Sequence, residues 1–175
     1  MQTARDLFVH EVQDMFDAEQ RLVEALGEQE QESSRPELRK AFASHREQTE
    51  NQVERLREVF EQIGEQPEET ECKGIKGLIE EHEAFKEEDP SEELLDIFNV
   101  GAAIKVESYE INAYESLVKL GRELGFKKGV NLLNQNLKEE QQTLKKMEMF
   151  STKLKPSDLG VEEEEVRPRR RRRAA

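Results

Sequence analysis

The sequence predicts an all-α protein, a four-helix bundle whose second and third helices are joined by a long crossover carrying a short extra helix. Three observations lead there. Four long segments each place apolar residues at alternating steps of four and three, the spacing of one buried stripe on a helix. The outer pairs of segments are joined by short connections and the middle pair by a long one, which is the connectivity of a bundle with one crossover. In every segment, finally, a polar residue interrupts the stripe near its middle.

The first helix begins at Thr3, whose hydroxyl can cap free amides with Asp6 three residues on, and is expected to end near Gly27. Its stripe runs Phe8, Val12, Met15, Glu19, Leu22, Leu26, so a carboxylate takes a core position. An unpaired ionised Glu in a core costs several kcal/mol, roughly, so Glu19 requires a cation, a hydrogen-bonding partner, a raised pKa or a hydrated groove. Ser34, Pro36 and Glu37 read as the start of the second helix, which extends to about Ile63. Its stripe is Leu38, Phe42, His45, Thr49, Gln52, Leu56, Val59, Ile63, polar at its three middle places and with Gln48 beside them.

Gly64 to Glu71 is a Gly, Pro and acid linker, followed by a short connecting helix over Ile75 to Phe85. Asp89, as cap, and Pro90, in the first turn, announce the third long helix, to about Leu124. Two adjacent stripes mark it: Ile97, Val100, Ile104, Glu107, Ile111, Tyr114, Val118, and Ala103, Val106, Glu110, Ala113, Leu117, Leu120. A face that broad is expected to meet more than one neighbour. Gly121 and Gly125 are expected to close this helix, and the fourth spans Phe126 to Leu154 with stripe Phe126, Val130, Leu133, Leu137, Glu140, Leu144, Met147. The bundle thus occupies residues 1–155, and 156–175 reads as a disordered tail, acidic at Glu162 to Glu165 and basic at Arg169 to Arg173.

In an antiparallel bundle, mid-helix positions share one level, so Glu19, the patch from His45 to Gln52, Glu107 with Glu110, and Glu140 should converge in the core. Four carboxylates in an apolar layer repel unless protons or a cation neutralise them. A divalent metal does this economically, and oxygen donors with one imidazole suit iron or manganese better than zinc. His10 and His82 read as surface or packing residues, and Tyr114 as a core aromatic whose hydroxyl needs a partner.

Composition sets the outer limits. Forty Asp and Glu against 27 Lys and Arg give a formal net charge of −13, which argues against a body that coats nucleic acid and leaves such contact to Arg169 to Arg173. Cys72, the sole cysteine, excludes an intrachain disulfide and a thiolate metal cluster. No stretch approaches the ~20 apolar residues that span a bilayer, so the expectation is a soluble cytoplasmic protein with no membrane partner.

The runs DLFVHEVQDMFDAEQRLVEAL, PELRKAFASHREQTENQVERL, KGIKGLIEE, IKVESYEINAYESL and LNQNLKEEQQTLKKM resemble the YciF-like bacterial stress proteins, a branch of the ferritin-like, rubrerythrin-related bundles. The resemblance covers residues 3–153. It implies a homodimeric bundle tied to stress with a dinuclear metal centre and no established reaction, with Glu19, His45, Gln48, Glu107, Glu110 and Glu140 as ligands; the function expected of such a dinuclear or mononuclear site is handling iron, peroxide or oxygen. Against the family pattern, Gln48 stands where a Glu is usual, Ser108 where a His is usual, Phe16 where a Tyr is common and Leu144 where an Asp is common. The paired Glu-x-x-His motifs of ordinary di-iron bundles are also missing: Glu140 is followed by Thr143. The competing expectation is therefore a non-catalytic dimeric stress or interaction protein with a degenerate, metal-free site.

Overall fold

The stripes fold into five helices in a computed structural model that describes residues 1–153: α1 (Ala4–Glu32), α2 (Pro36–Ile63), α3 (Lys73–Lys86), α4 (Glu92–Glu123) and α5 (Lys127–Thr152). The acidic and Arg-rich tail, like the Leu154 end of the last helix, lies outside the described residues. Three-residue connections at 33–35 and 124–126 make α1 antiparallel to α2 and α4 antiparallel to α5. The two hairpins then close on each other through α2 against α5 and α1 against α4, while α3, in the crossover, covers α4 and α1. Among the described residues no helix is long and apolar enough to cross a membrane.

The α1 and α2 stripes are buried at every position, including Glu19, His45, Thr49 and Gln52. On α4 the deepest line runs between the two predicted stripes, through Asp96, Val100, Ala103, Glu107, Glu110, Tyr114 and Leu117, with Ile104, Val106, Ala113 and Leu120 as half-buried shoulders. On α5 the predicted stripe residues Val130, Leu133, Glu140 and Met147 are buried, and the buried line departs from the stripe only between them. Leu137 and Leu144 are half-buried, and Asn136 and Thr143 take the inner places beside Glu140.

The helix ends correct four expectations. Thr3 does form a reciprocal capping box with Asp6, but Gly27 does not end α1. The helix continues for more than a turn because Gln29 and Ser33 are buried beyond it and Glu and Gln are good helix formers, which offsets the ~1 kcal/mol that a mid-helix Gly costs. At the start of α2, Ser34 is not the cap; Arg35 holds that position and makes no side-chain cap bond. The free amides of Ser34 and Arg35 instead donate to the carboxylate of Asp96 on α4, at 2.9 and 3.2 Å, and the Ser34 hydroxyl donates to it at 2.6 Å. Asp89 also fails to cap. It sits at φ 52°, and Ser91, two residues later, accepts from the Leu94 amide to begin α4.

Gly121 lies inside α4 rather than at its end, and the left-handed turn that ends the hairpin is at Gly125, φ 78°. A Cβ on Gly121 would stand 2.9 Å from Val130 and 3.1 Å from Phe8, so the missing side chain is what lets α4, α5 and α1 approach. Gly121→Ala is expected to destabilise the protein by about 1–3 kcal/mol through overpacking, against a gain of about 1 kcal/mol if helix propensity alone decided. Urea unfolding reads the sign directly.

The crossover is pinned along α1. Arg5 donates to the Ile63 carbonyl at 2.8 Å and pairs with Glu65, Gln13 exchanges hydrogen bonds with Gln66 and Glu68, and Asp17 accepts from the Cys72 amide at 2.7 Å. At its other end α3 is held by His82, which is buried and so takes the packing role of the two expected for it. Its Nε2 lies 2.7 Å from Asn99 Oδ1 on α4 and 2.9 Å from Glu32 on α1, with Lys86 and Glu83 alongside. Burial works against the charged imidazole, but Glu32 and Asn99 outweigh it and the His82 pKa rises; burial likewise opposes Glu32, whose pKa is nonetheless lowered by His82 and Lys86. A raised His stabilises below its unfolded value and loses that on the alkaline side, whereas a lowered Glu loses its share in acid. The stabilisation from His82 is therefore expected to be greatest between about pH 4.5 and 6.5. The stability gap between wild type and His82→Ala, measured by urea unfolding, should narrow at pH 8.

Candidate metal centre

At the common mid-height of the bundle, one residue from each long helix or more turns a charged or polar group inward. Glu19 comes from α1, His45 and Gln52 from α2, Glu107, Glu110 and Tyr114 from α4, and Asn136 and Glu140 from α5, all with at most 4% of their surface exposed. Five of the six residues predicted as ligands form two groups, His45 with Glu107 and Glu140, and Glu19 with Glu110 and Glu140. Within each group one donor atom from each residue lies within 4.8 Å of the others. Glu107 and Glu110 are a turn apart on α4, which directs one to each group, and Glu140 belongs to both.

His45 Nε2 lies 3.4 Å from Glu107 and 3.6 Å from Glu140. Glu107 has no hydrogen-bond partner at either oxygen, and Glu19, Glu110 and Glu140 each leave one oxygen unpartnered, as does His45 its Nδ1. Burial pushes the Glu19, Glu107 and Glu110 carboxyls well above the usual carboxylate range. The neighbouring charge of Glu140 adds to this for Glu19 and Glu107, and those of Glu19 and then Glu140 for Glu110. Unpartnered buried oxygens in a native core call for an explanation, and a divalent cation supplies both the missing partner and the missing charge. Carboxylate oxygens with one imidazole are a donor set that fits iron or manganese.

A hydrogen-bonded frame surrounds these groups. Tyr114 donates to Glu19 and accepts from Asn136 Nδ2 at 2.9 Å; Asn136 accepts from Arg55 at 2.6 Å; and Arg55 grips Glu139 through two bonds of 2.6 and 2.9 Å. Gln52 donates to Glu140. Tyr114 thus has the partner its hydroxyl required, and burial followed by the Glu19 charge keeps its phenol strongly protonated. Gln48, the sixth predicted ligand, is half-buried on α2, and the amide that reaches Glu140 is that of Gln52.

Sequence reasoning left Asn136, Arg55 and Glu139 out of the site. The signal for Asn136 was its place four residues before Glu140, on the same face of α5. Arg55 sits three residues after Gln52 and Glu139 beside Glu140, but charged residues at such places usually face solvent, so pattern alone did not mark them. Cys72 is a buried free thiol 3.3 Å from the Tyr109 hydroxyl, and burial pushes its pKa up.

Comparison with known proteins places the chain. The family described as a domain of unknown function, DUF892, matches residues 3–159. Protein YciF of Escherichia coli is 36% identical over 162 residues, covering 92% of each chain. The crystal structure described as that of the E. coli stress protein YciF superposes with a TM-score of 0.84 at 32% identity, over 93% of this chain and all of that one. YcfI of Rhodopseudomonas palustris gives 0.82 at 35% identity, over 85% of this chain and 94% of its own. A Xanthomonas campestris protein at 17% identity and a TM-score of 0.72, over 90% and 96% of the two chains, shares the fold.

Proposed function

The chain belongs to the DUF892 family, and from that premise we propose that its buried carboxylate cluster is a dinuclear iron or manganese centre in a stress protein that handles iron, peroxide or oxygen. The observation that carries the reading is the pair of donor groups that share Glu140, each fully buried and each with unpartnered carboxylate oxygens. His45 and Glu107 would hold one ion, Glu19 and Glu110 the other, with Glu140 common to both. When bound, such ions supply Lewis acidity and one-electron chemistry toward oxygen species.

The protein's own part is to orient and insulate. Tyr114 and Gln52 fix one oxygen each of Glu19 and Glu140, leaving the other free for an ion. Arg55 and Glu139 anchor Asn136 and so set the Tyr114 hydroxyl, as partners behind metal ligands commonly do. Phe42 and Met15, completely buried stripe neighbours one turn from His45 and Glu19, exclude bulk water.

A second reading has its own support. Gln52 and Tyr114 already satisfy part of the carboxylate oxygens, so protons on the rest would suffice in a metal-free dimeric scaffold that acts by recruiting a partner. Reconstitution decides between the two. Chelator-stripped protein given iron(II) or manganese(II) without oxygen is expected to retain two equivalents, one per donor group. Its stability should rise by about 5 kcal/mol at a free metal concentration a hundredfold above Kd, about 2.7 kcal/mol for each site. Retention below about a tenth of an equivalent, well under the stoichiometry these donors predict, establishes the scaffold.

A further inference from the structure

A cavity between α1, α3 and α4 opens to solvent beside the exposed Glu28 and Glu83 and is lined at its inner end by His45 and Glu107. Its volume is about 30 Å³, enough for a molecule of water's size, which needs roughly 10–15 Å³. Between mouth and inner end the walls are mostly apolar, Leu26, Ile79, Ala102, Ala103 and Val106 among them, with the buried Gln29 and His82 as polar members. Behind the inner end, His45 Nδ1 and both Glu107 oxygens are buried without a hydrogen-bond partner. A largely apolar cavity that leads toward unpartnered polar atoms is not explained by packing.

The geometry points to this cavity as the route by which a small uncharged O–O molecule, dioxygen or hydrogen peroxide, reaches the His45 and Glu107 end of the cluster; the assignment rests on the metal reading above. Three features select the occupant. Width limits it to one or two heavy atoms. Apolar walls strip hydration without replacing it, which penalises any ion, the hydrated metal included. At the mouth Glu28 and Glu83 both pair with Lys86, so the carboxylates behind the inner end are what repels anions further. Oxidant and metal therefore enter by different paths, and Ala102 and Ile79 set the bore.

The test separates the route from the metal. In metal-free protein, dissolved dioxygen is paramagnetic, and it should relax the methyl protons of the buried Leu26 and Ala103 at least threefold more than those of Leu133, which is buried on α5 outside the cavity. Ala102→Leu should abolish that excess, and Ile79→Ala should enlarge it, so a wider variant backs up a narrower one. In iron(II)-loaded protein, stopped-flow oxidation by dioxygen and by peroxide should each slow at least tenfold in Ala102→Leu while metal stoichiometry and loading rate hold. Slowing with one oxidant alone identifies that one as the occupant. Equal relaxation of the methyls of the three residues, or oxidation rates with both oxidants untouched by Ala102→Leu, overturns the assignment. Failure to retain metal overturns the metal reading and with it the assignment of an oxidant to that route, while the relaxation pattern still shows whether the passage admits dioxygen.

Discussion

Glu140→Leu is expected to empty both metal positions together, whereas Glu110→Leu removes one. Glu140 is the member common to both donor groups, and each group without it keeps only two donors of the required kind. Metal analysis after reconstitution should therefore give close to none for the first variant and close to one equivalent for the second. Without metal the order of effects reverses. Glu110 is buried with an unpartnered oxygen and a carboxyl displaced well above its usual range, first by burial and then by Glu19, so the folded state carries an uncompensated polar group. Replacing it by an apolar side chain of similar size should stabilise the metal-free protein by about 1–4 kcal/mol, each kcal/mol raising Tm by about 2–4 °C. A metal-free Glu110→Leu protein that melts below wild type would show that the cluster contributes to the fold by itself. Equal metal loss in both variants would remove Glu140 from its shared position.

Asp96→Ala is expected to be among the most destabilising single substitutions outside the core stripes. Asp96 is 1% exposed and accepts from the Ser34 amide, the Ser34 hydroxyl and the Arg35 amide, with the Arg35 guanidinium at 3.5 Å. It does from α4 what a local cap would do at the start of α2, and it ties the two hairpins together at that end. Its removal leaves buried donors without a charged acceptor, a loss of about 3 kcal/mol, or a Tm lower by about 6–12 °C. Asp96→Asn keeps one carbonyl acceptor and should fall between. A Tm within about 2 °C of wild type, less than the smallest such effect, would mean that the α2 start is held by other contacts.

Both predictions turn on residues whose type was visible in the chain and whose partner was not. Glu19 and Glu140 stood out because a carboxylate broke a four-three stripe, and that periodicity is a property of the backbone helix alone. The number of long helices, the crossover and the level at which the polar interruptions meet were legible for the same reason. Asp96 gave no such sign. It lies off both predicted α4 stripes, one residue before Ile97, and reads as an ordinary surface acid near the start of the helix until α2 begins beside it.

The sequence by itself determined that four amphipathic helices must bury a shared polar layer, since hydrophobic spacing decides which face of a helix turns inward. Only the tertiary structure decided how each helix is rotated about its axis, because that depends on the neighbours' shapes: Gly121 against Phe8 and Val130, Asn136 turned in where Leu137 was expected. A rotation of one residue, about 100°, separates a wall residue from a site residue. That rotation brings Tyr114 to Glu19, Gln52 to Glu140 and Arg55 to Asn136, and it makes four solitary carboxylates into two donor groups that share one of them.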